Sequence, residues 1–252
     1  KMQYIIIKDH KTGSTVSNKI KDCINSFYKN KISSRAFYKF WNMNDPSNKY
    51  ICFIRNPYEI IVSGYLYHKR CGEKWCITKN WSYYNWWSSE HFLESEKVKN
   101  KEALDNSIFC KNISYQEKLN SLSQDDGIIF EMKHVAKLTI EGMCDFDYFE
   151  SKNVMKVDLN NLIRNYKNEI CKILDFLQIN SNDQLISSLN KHNISEQKVN
   201  HHVTNTNLDE NRYLQYFNDR LFEEFKLTYK EYIPKIERLG YNVHDYGDLF
   251  LR

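Results

Sequence analysis

The stretch Gln3–Lys19, QYIIIKDHKTGSTVSNK, decides how the rest of the chain is read. Tyr4, Ile5, Ile6 and Ile7 form a short apolar run, a turn carrying Asp9 to Thr15 follows, and a polar segment with helical spacing comes next. This order reads as strand, phosphate-sized loop and helix. The first amides of a helix lack intrahelical partners and the macrodipole adds partial positive charge, so an anion is favoured at that end. Gly13 permits close backbone approach, Lys11 supplies a full charge, and Thr12, Ser14 and Thr15 supply hydroxyls. An ordinary strand-to-helix turn capped by serine or threonine is the competing reading.

Working outward, the charge of the chain gathers around this loop. The net charge of +4 divides into +7 for residues 1–39, where nine basic side chains face only Asp9 and Asp22, and −3 for the remainder. Such a field suits a multiply charged small ligand or nucleic acid. With 252 residues, 41% hydrophobic and 15% aromatic, the chain can bury a full core, and it is expected to fold as a single domain over residues 1–252. Seven cysteines in no repeated CxxC pattern point to thiols of a reduced, cytoplasmic protein, with a Cys71–Cys76 bridge left open. A zinc site from that pair with His68 and His91 fits no common spacing, so no metal is expected. No 18-residue apolar run is present, so no membrane segment is expected.

Helical spacing of Val16, Ile20, Cys23, Ile24 and Phe27 predicts a first helix over 14–28, followed by a basic connection. Tyr50 to Ile54 reads as a buried parallel strand ending in Arg55. Asn56, Pro57 and Glu59 form a capping arrangement that starts the next helix, with Ser63 two turns in. Arg55 thus stands at the carboxyl edge of a strand, where open α/β sheets bind ligands. From Cys71 to Lys111 regular patterning weakens and Trp75, Trp81, Tyr83, Tyr84, Trp86, Trp87 and Phe92 crowd together, which reads as an insertion over an acceptor pocket or as a small aromatic satellite core with no ligand. Helices are expected over 114–122, 127–143, 159–177, 183–189, 210–229 and 232–239, with a strand at 154–157, a polar loop at 192–211 and a docked tail from 242. Ile128, Ile129 and Phe130 could instead open as a strand.

Two motifs, HKTGSTVSNKI at 10–20 and FIRNPYEIIVSGYLYH at 53–68, together resemble the sulfotransferase family that uses 3′-phosphoadenosine 5′-phosphosulfate (PAPS). The loop is most similar to that of the galactose-type carbohydrate sulfotransferases. VMKVDLNNL at 154–162, KILDFLQI at 172–179 and LGY at 239–241 are weaker likenesses. The resemblance implies a P-loop-like three-layer α/β fold with a central, mainly parallel sheet flanked by helices. It also implies an enzyme that moves a sulfuryl group from PAPS to an acceptor hydroxyl or amine, with 3′-phosphoadenosine 5′-phosphate (PAP) as product. Lys11, Thr12, Gly13, Ser14 and Thr15 would hold the 5′-phosphosulfate, and Arg55 and Ser63 the 3′-phosphate. The family's late Arg-Lys-Gly loop is missing, since 203–212 reads VTNTNLDENR, and Arg212 or Lys198 is the available substitute. Glu131 and His68 are the first candidates for the general base, with His134 and His10 behind them. The acceptor is expected to be a small molecule or glycan, with no nucleic acid. The carbohydrate likeness would instead place an animal protein in the Golgi lumen.

Two rival readings remain at this level. A P-loop phosphotransferase needs a lysine directly after the second glycine of its loop, whereas Lys11 precedes Gly13. A non-catalytic nucleotide- or nucleic-acid-binding protein would account for the basic first segment alone.

Overall fold

A computed structural model describes residues 2–28, 32–36, 45–82, 109–145, 151–193 and 212–243. Its centre is a parallel sheet of β1 (Gln3–Lys8), β2 (Ile32–Ala36), β3 (Asn48–Ile54) and a later strand Val154–Asp158, in the order β2, β1, β3 and that late strand. Register pairs Ile6 with Ser34 on one side and Ile51 on the other, and Cys52 with Lys156. Because side chains alternate across a sheet, Ile5, Ile7, Tyr50, Cys52 and Ile54 enter one apolar cluster and Ile6, Ile51 and Phe53 the opposite one. Helices cover both faces, as the doubly covered parallel sheet requires.

Helix α1 (Ser14–Phe27) packs Val16, Ile20, Cys23 and Ile24 on the second face, while Phe27, expected inside, is exposed. α2 (Pro57–His68) lies on the first, started by Asn56, whose side chain accepts from the Tyr58 amide at 2.9 Å. α3 (Lys74–Ile77) and a two-stranded antiparallel pair, β4 (Lys79–Trp81) with β5 (Cys110–Ser114), form the described part of the aromatic insertion. Tyr83, Tyr84, Trp86, Trp87 and Phe92 lie outside the described residues. Beyond β5 come α4 (Tyr115–Ser121), α5 (Gln124–Lys133), α6 (Val135–Cys144), β6 (Val154–Asp158), α7 (Leu159–Arg164), α8 (Tyr166–Phe176), α9 (Asp183–Asn190), α10 (Asp219–Thr228) and α11 (Ile233–Arg238).

Several elements differ from the sequence expectation. β2, read as a basic connection, is a strand; Ile32 is buried while Ser33, Ser34 and Arg35 are half-buried, so an edge position leaves no apolar run to see. The helix expected over 127–143 is two, α5 and α6, broken at His134 with φ −122° and ψ −96°; Ile128 to Phe130 are helical. The helix expected over 159–177 breaks at Asn165, φ −119° and ψ 40°. A break of one residue leaves the apolar spacing intact, so periodicity cannot report it. The helix expected from 210 is a short 3-10 turn, Arg212–Gln215, and then α10, whose start is fixed by Asn218 accepting from the Leu221 amide at 3.1 Å. Most of the 192–211 loop and of the tail lies outside the described residues. Cys71 and Cys76 are free thiols, so the bridge left open above is not formed.

Candidate active site

The carboxyl ends of β1 and β3 are neighbours in the sheet, so the two motifs meet at one edge. Gly13, with φ 110°, turns the chain into α1; a Cβ there would lie 2.9 Å from Leu159 Cδ1, so both backbone angle and space ask for glycine. No side chain caps α1. Thr12 is buried, accepts from the Asp9 amide at 2.8 Å and donates to the Asp9 carbonyl at 2.9 Å, so its hydroxyl braces the loop from within. Ser14 donates to the same carbonyl at 3.2 Å, and Thr15 is exposed.

Lys11 sits in the left-handed region at φ 62°, which is uncommon for a residue with a side chain. Its Nζ lies 3.1 Å from the centre of the Tyr67 ring. Burial lowers its pKa to about 7, against the raising effect of Glu73 and Glu131. The Glu73 carboxylate accepts from Tyr67 Oη and from Trp75 Nε1, each at 2.5 Å, and so fixes the ring under the lysine.

Arg55 Nη1 donates to the Lys11 carbonyl at 3.1 Å and thereby ties the second motif to the first. Its Nη2 and Nε donate to Glu59 Oε2 at 2.8 and 3.2 Å, a pair in which both side chains are buried. Glu59, expected as a helix-capping group, is therefore the partner of Arg55 one turn away, a spacing of four that the sequence displays. Ser63 follows after four more residues on the same face of α2 and is buried.

A third group lies beside the loop. His68 Nδ1 is 2.8 Å from Glu131 Oε2, Tyr115 Oη donates to the same oxygen at 2.9 Å, and His68 Nε2 is 2.7 Å from His10 Nε2. His68 and Glu131 are 0% and 1% exposed, whereas His10 is only part-buried. The other Glu131 oxygen rests against Gly64, where a Cβ would stand 2.4 Å from Oε1. His134 is elsewhere, packed on Phe109 and Phe130 at 4.5 and 4.3 Å, and burial lowers its pKa to about 4. Of the expected site residues, Lys11 to Thr15, Arg55, Ser63, His68 and Glu131 thus come to one edge, and His10 joins them. Arg212 begins the 3-10 turn, Lys198 and His91 lie outside the described residues, and no group of three or more His, Cys, Asp or Glu able to hold a metal occurs among the described residues. Sequence reasoning assigned no role to Tyr67, although it lies within the second motif, and missed Glu73 and Tyr115, which belong to no motif.

The sulfotransferase domain model matches residues 29–232, well over half of the chain. The chain belongs to the sulfotransferase family. The match begins beyond the first loop, and the Arg55 bond to Lys11 joins that loop to the matched part of the sulfotransferase. A search of curated protein sequences returns no match. Among solved structures, the sulfotransferase is similar to mouse sulfotransferase SULT7A1, whose crystal structure was determined in complex with PAP. The two share 11% identity at a TM-score of 0.50 over 96% of this chain and 90% of that one, a likeness of fold. No helix among the described residues is long and apolar enough to cross a membrane.

Proposed function

We propose that this sulfotransferase takes its sulfuryl group from PAPS and passes it to a hydroxyl of a small-molecule or glycan acceptor, releasing PAP. The observation that carries this reading is the 3.1 Å bond from Arg55 to the Lys11 carbonyl, because it makes one donor site of two motifs 44 positions apart. A donor with a phosphosulfate at one end and a separate phosphate at the other needs two anion sites at a fixed spacing. Lys11 and the uncapped amides of α1, with Gly13, Ser14 and Thr15 around them, take the phosphosulfate, and Thr12 holds the loop in shape. Arg55 and Ser63 take the 3′-phosphate, with Arg212 as the substitute for the missing late loop. Lys11 stabilises charge developing on the bridging oxygen as the S–O bond breaks. Glu131 and His68 belong to the proton-accepting side. The aromatic-rich composition of the insertion suits stacking against a sugar or an aromatic acceptor.

Calorimetry with PAP tests the donor assignment. Saturable binding is expected in the parent chain, weaker by roughly ten- to a hundredfold in Arg55→Ala, the loss expected for charged hydrogen bonds. Lys11→Ala should instead lower turnover, by about a hundredfold. Absence of PAP binding in the parent chain overturns the assignment. Radiolabelled PAPS with a panel of glycans, phenols and amines then identifies the acceptor, and exclusive labelling of aliphatic amines or lipids would refute the stacking role of the insertion.

A further inference from the structure

Three titratable side chains from separate parts of the sequence form a continuous hydrogen-bonded line that ends beside Lys11. Glu131 and His68 have almost no exposed surface, so neither can touch an acceptor; His10, next to Lys11 in the loop, is the least enclosed of the three. The line also has a direction. Glu131 Oε2 accepts from Tyr115 Oη at 2.9 Å, and an ionised carboxylate only accepts, so the 2.8 Å contact from His68 Nδ1 carries the proton on the imidazole. A neutral His68 then has its lone pair on Nε2 and accepts across 2.7 Å from His10 Nε2–H. That leaves the lone pair of a neutral His10 on Nδ1. The two imidazole planes are only 16° apart, as an in-line N–H···N contact between neighbouring rings allows.

We propose that His10 is the catalytic base of sulfuryl transfer, and that His68 and Glu131 are positioning residues that lock its tautomer so that Nδ1 carries the lone pair. The proposal rests on the sulfuryl-transfer reading above. In the step, the acceptor hydroxyl gives its proton to His10 Nδ1 and its oxygen forms a bond to sulfur. The electron pair of the broken S–O bond goes to the 5′-phosphate oxygen of PAP. The imidazolium charge on His10 spreads towards His68, where Glu131 stabilises it, in the manner of a carboxylate behind a catalytic histidine. Burial, Lys11 and His68 all lower the pKa of His10 well below its ordinary value, which keeps its imidazole neutral at neutral pH. Lys11 and His68 are charged or titratable neighbours of the His10 ring, Tyr67 and Trp75 pack beside it, and Glu131 stands behind His68.

Nitrogen-15 NMR of imidazole-labelled protein at pH 7, with and without PAP, tests the lock directly, the His10 signals being assigned by their loss in His10→Gln. The expected spectrum has His10 protonated on Nε2 and His68 on Nδ1, and Glu131→Gln turns the His10 signal into a tautomer mixture. Hydrolysis of PAPS, with water as acceptor, should slow by roughly a hundredfold in His10→Gln, while the Kd for PAP changes by less than about twofold. A His10 protonated on Nδ1, a doubly protonated His68, or undiminished PAPS hydrolysis in His10→Gln overturns the proposal. Failure of the parent chain to bind PAP overturns the donor assignment alone, because the tautomer is read equally well in the unliganded protein.

Discussion

Helices α1 and α2 leave the same edge of the sheet and are built in opposite ways. α1 starts at Gly13 with no side chain on its first amides and buries one stripe, Val16, Ser17, Ile20, Cys23 and Ile24. α2 starts on a side-chain cap with Pro57 behind it, and is buried nearly all round, carrying Glu59, Ser63 and His68 inward. An open helix end is a place for a ligand's charge. A closed end on a dry helix is a place for the protein's own charges, which must then be paired within the fold. The site divides its work along that line, with α1 presenting amides and α2 holding the groups that orient side chains around them.

The contrast can be broken most forcefully on α2. Glu59→Ala leaves the Arg55 guanidinium, 5% exposed, without its carboxylate and is expected to cost about 3–5 kcal/mol, read as a lower urea midpoint. A cost as small as a surface pair's would show that α2 does not hold its charges in a dry interior. On α1, Ile20→Ala should cost somewhat less, about 3 kcal/mol, since Ile20 is wholly buried in the aliphatic face, while PAP affinity of the folded protein stays unchanged. Weaker PAP binding there would mean that stripe and open end are not separate.

The smallest effect belongs to the loop in front of α1, and it raises stability. Lys11→Met removes an amine that burial holds at a pKa of about 7 and should raise Tm by a few degrees. The unfolded chain binds the lysine proton up to the ordinary 10.5 while the folded one releases it above about 7, so the parent chain gains stability from this group as pH rises across that window. The advantage of Lys11→Met should therefore be largest below pH 7 and fade towards 10.5, measured by thermal unfolding across that range. A pH-independent difference would locate the gain in side-chain packing on the Tyr67 ring instead of in the titration of the amine.

Much of α1 and α2 was legible because their signals are local. The Tyr4–Ile7 run, the Lys11–Gly13 turn, the Tyr50–Ile54 strand and the Asn56–Pro57 start all lie within a few residues of the feature they specify. β2 was not legible, since an edge strand reading ISSRA has no apolar pattern to offer. Nor were the breaks at His134 and Asn165, where a single backbone excursion leaves side-chain spacing nearly unaltered. His10, His68 and Glu131 each stood out as titratable groups, but their order in one line depends on burial and on contacts 58 and 63 residues apart. Sequence reasoning placed Glu131 and His68 before His10; burial reverses that order for contact with an acceptor, since the first two are enclosed.

The Arg55 bond to the Lys11 carbonyl also orders the assembly of the molecule. β1 is paired with β3 although β2 intervenes in the chain, so the proposed nucleotide site is closed only by a contact that spans a completed crossover. A partly folded chain holding β1, α1 and β2 has the loop but not its arginine brace, and nucleotide is expected to recognise the finished sheet alone. On the donor assignment proposed above, PAPS is then also a folding ligand, whose saturating presence is expected to shift the population towards the closed crossover by mass action.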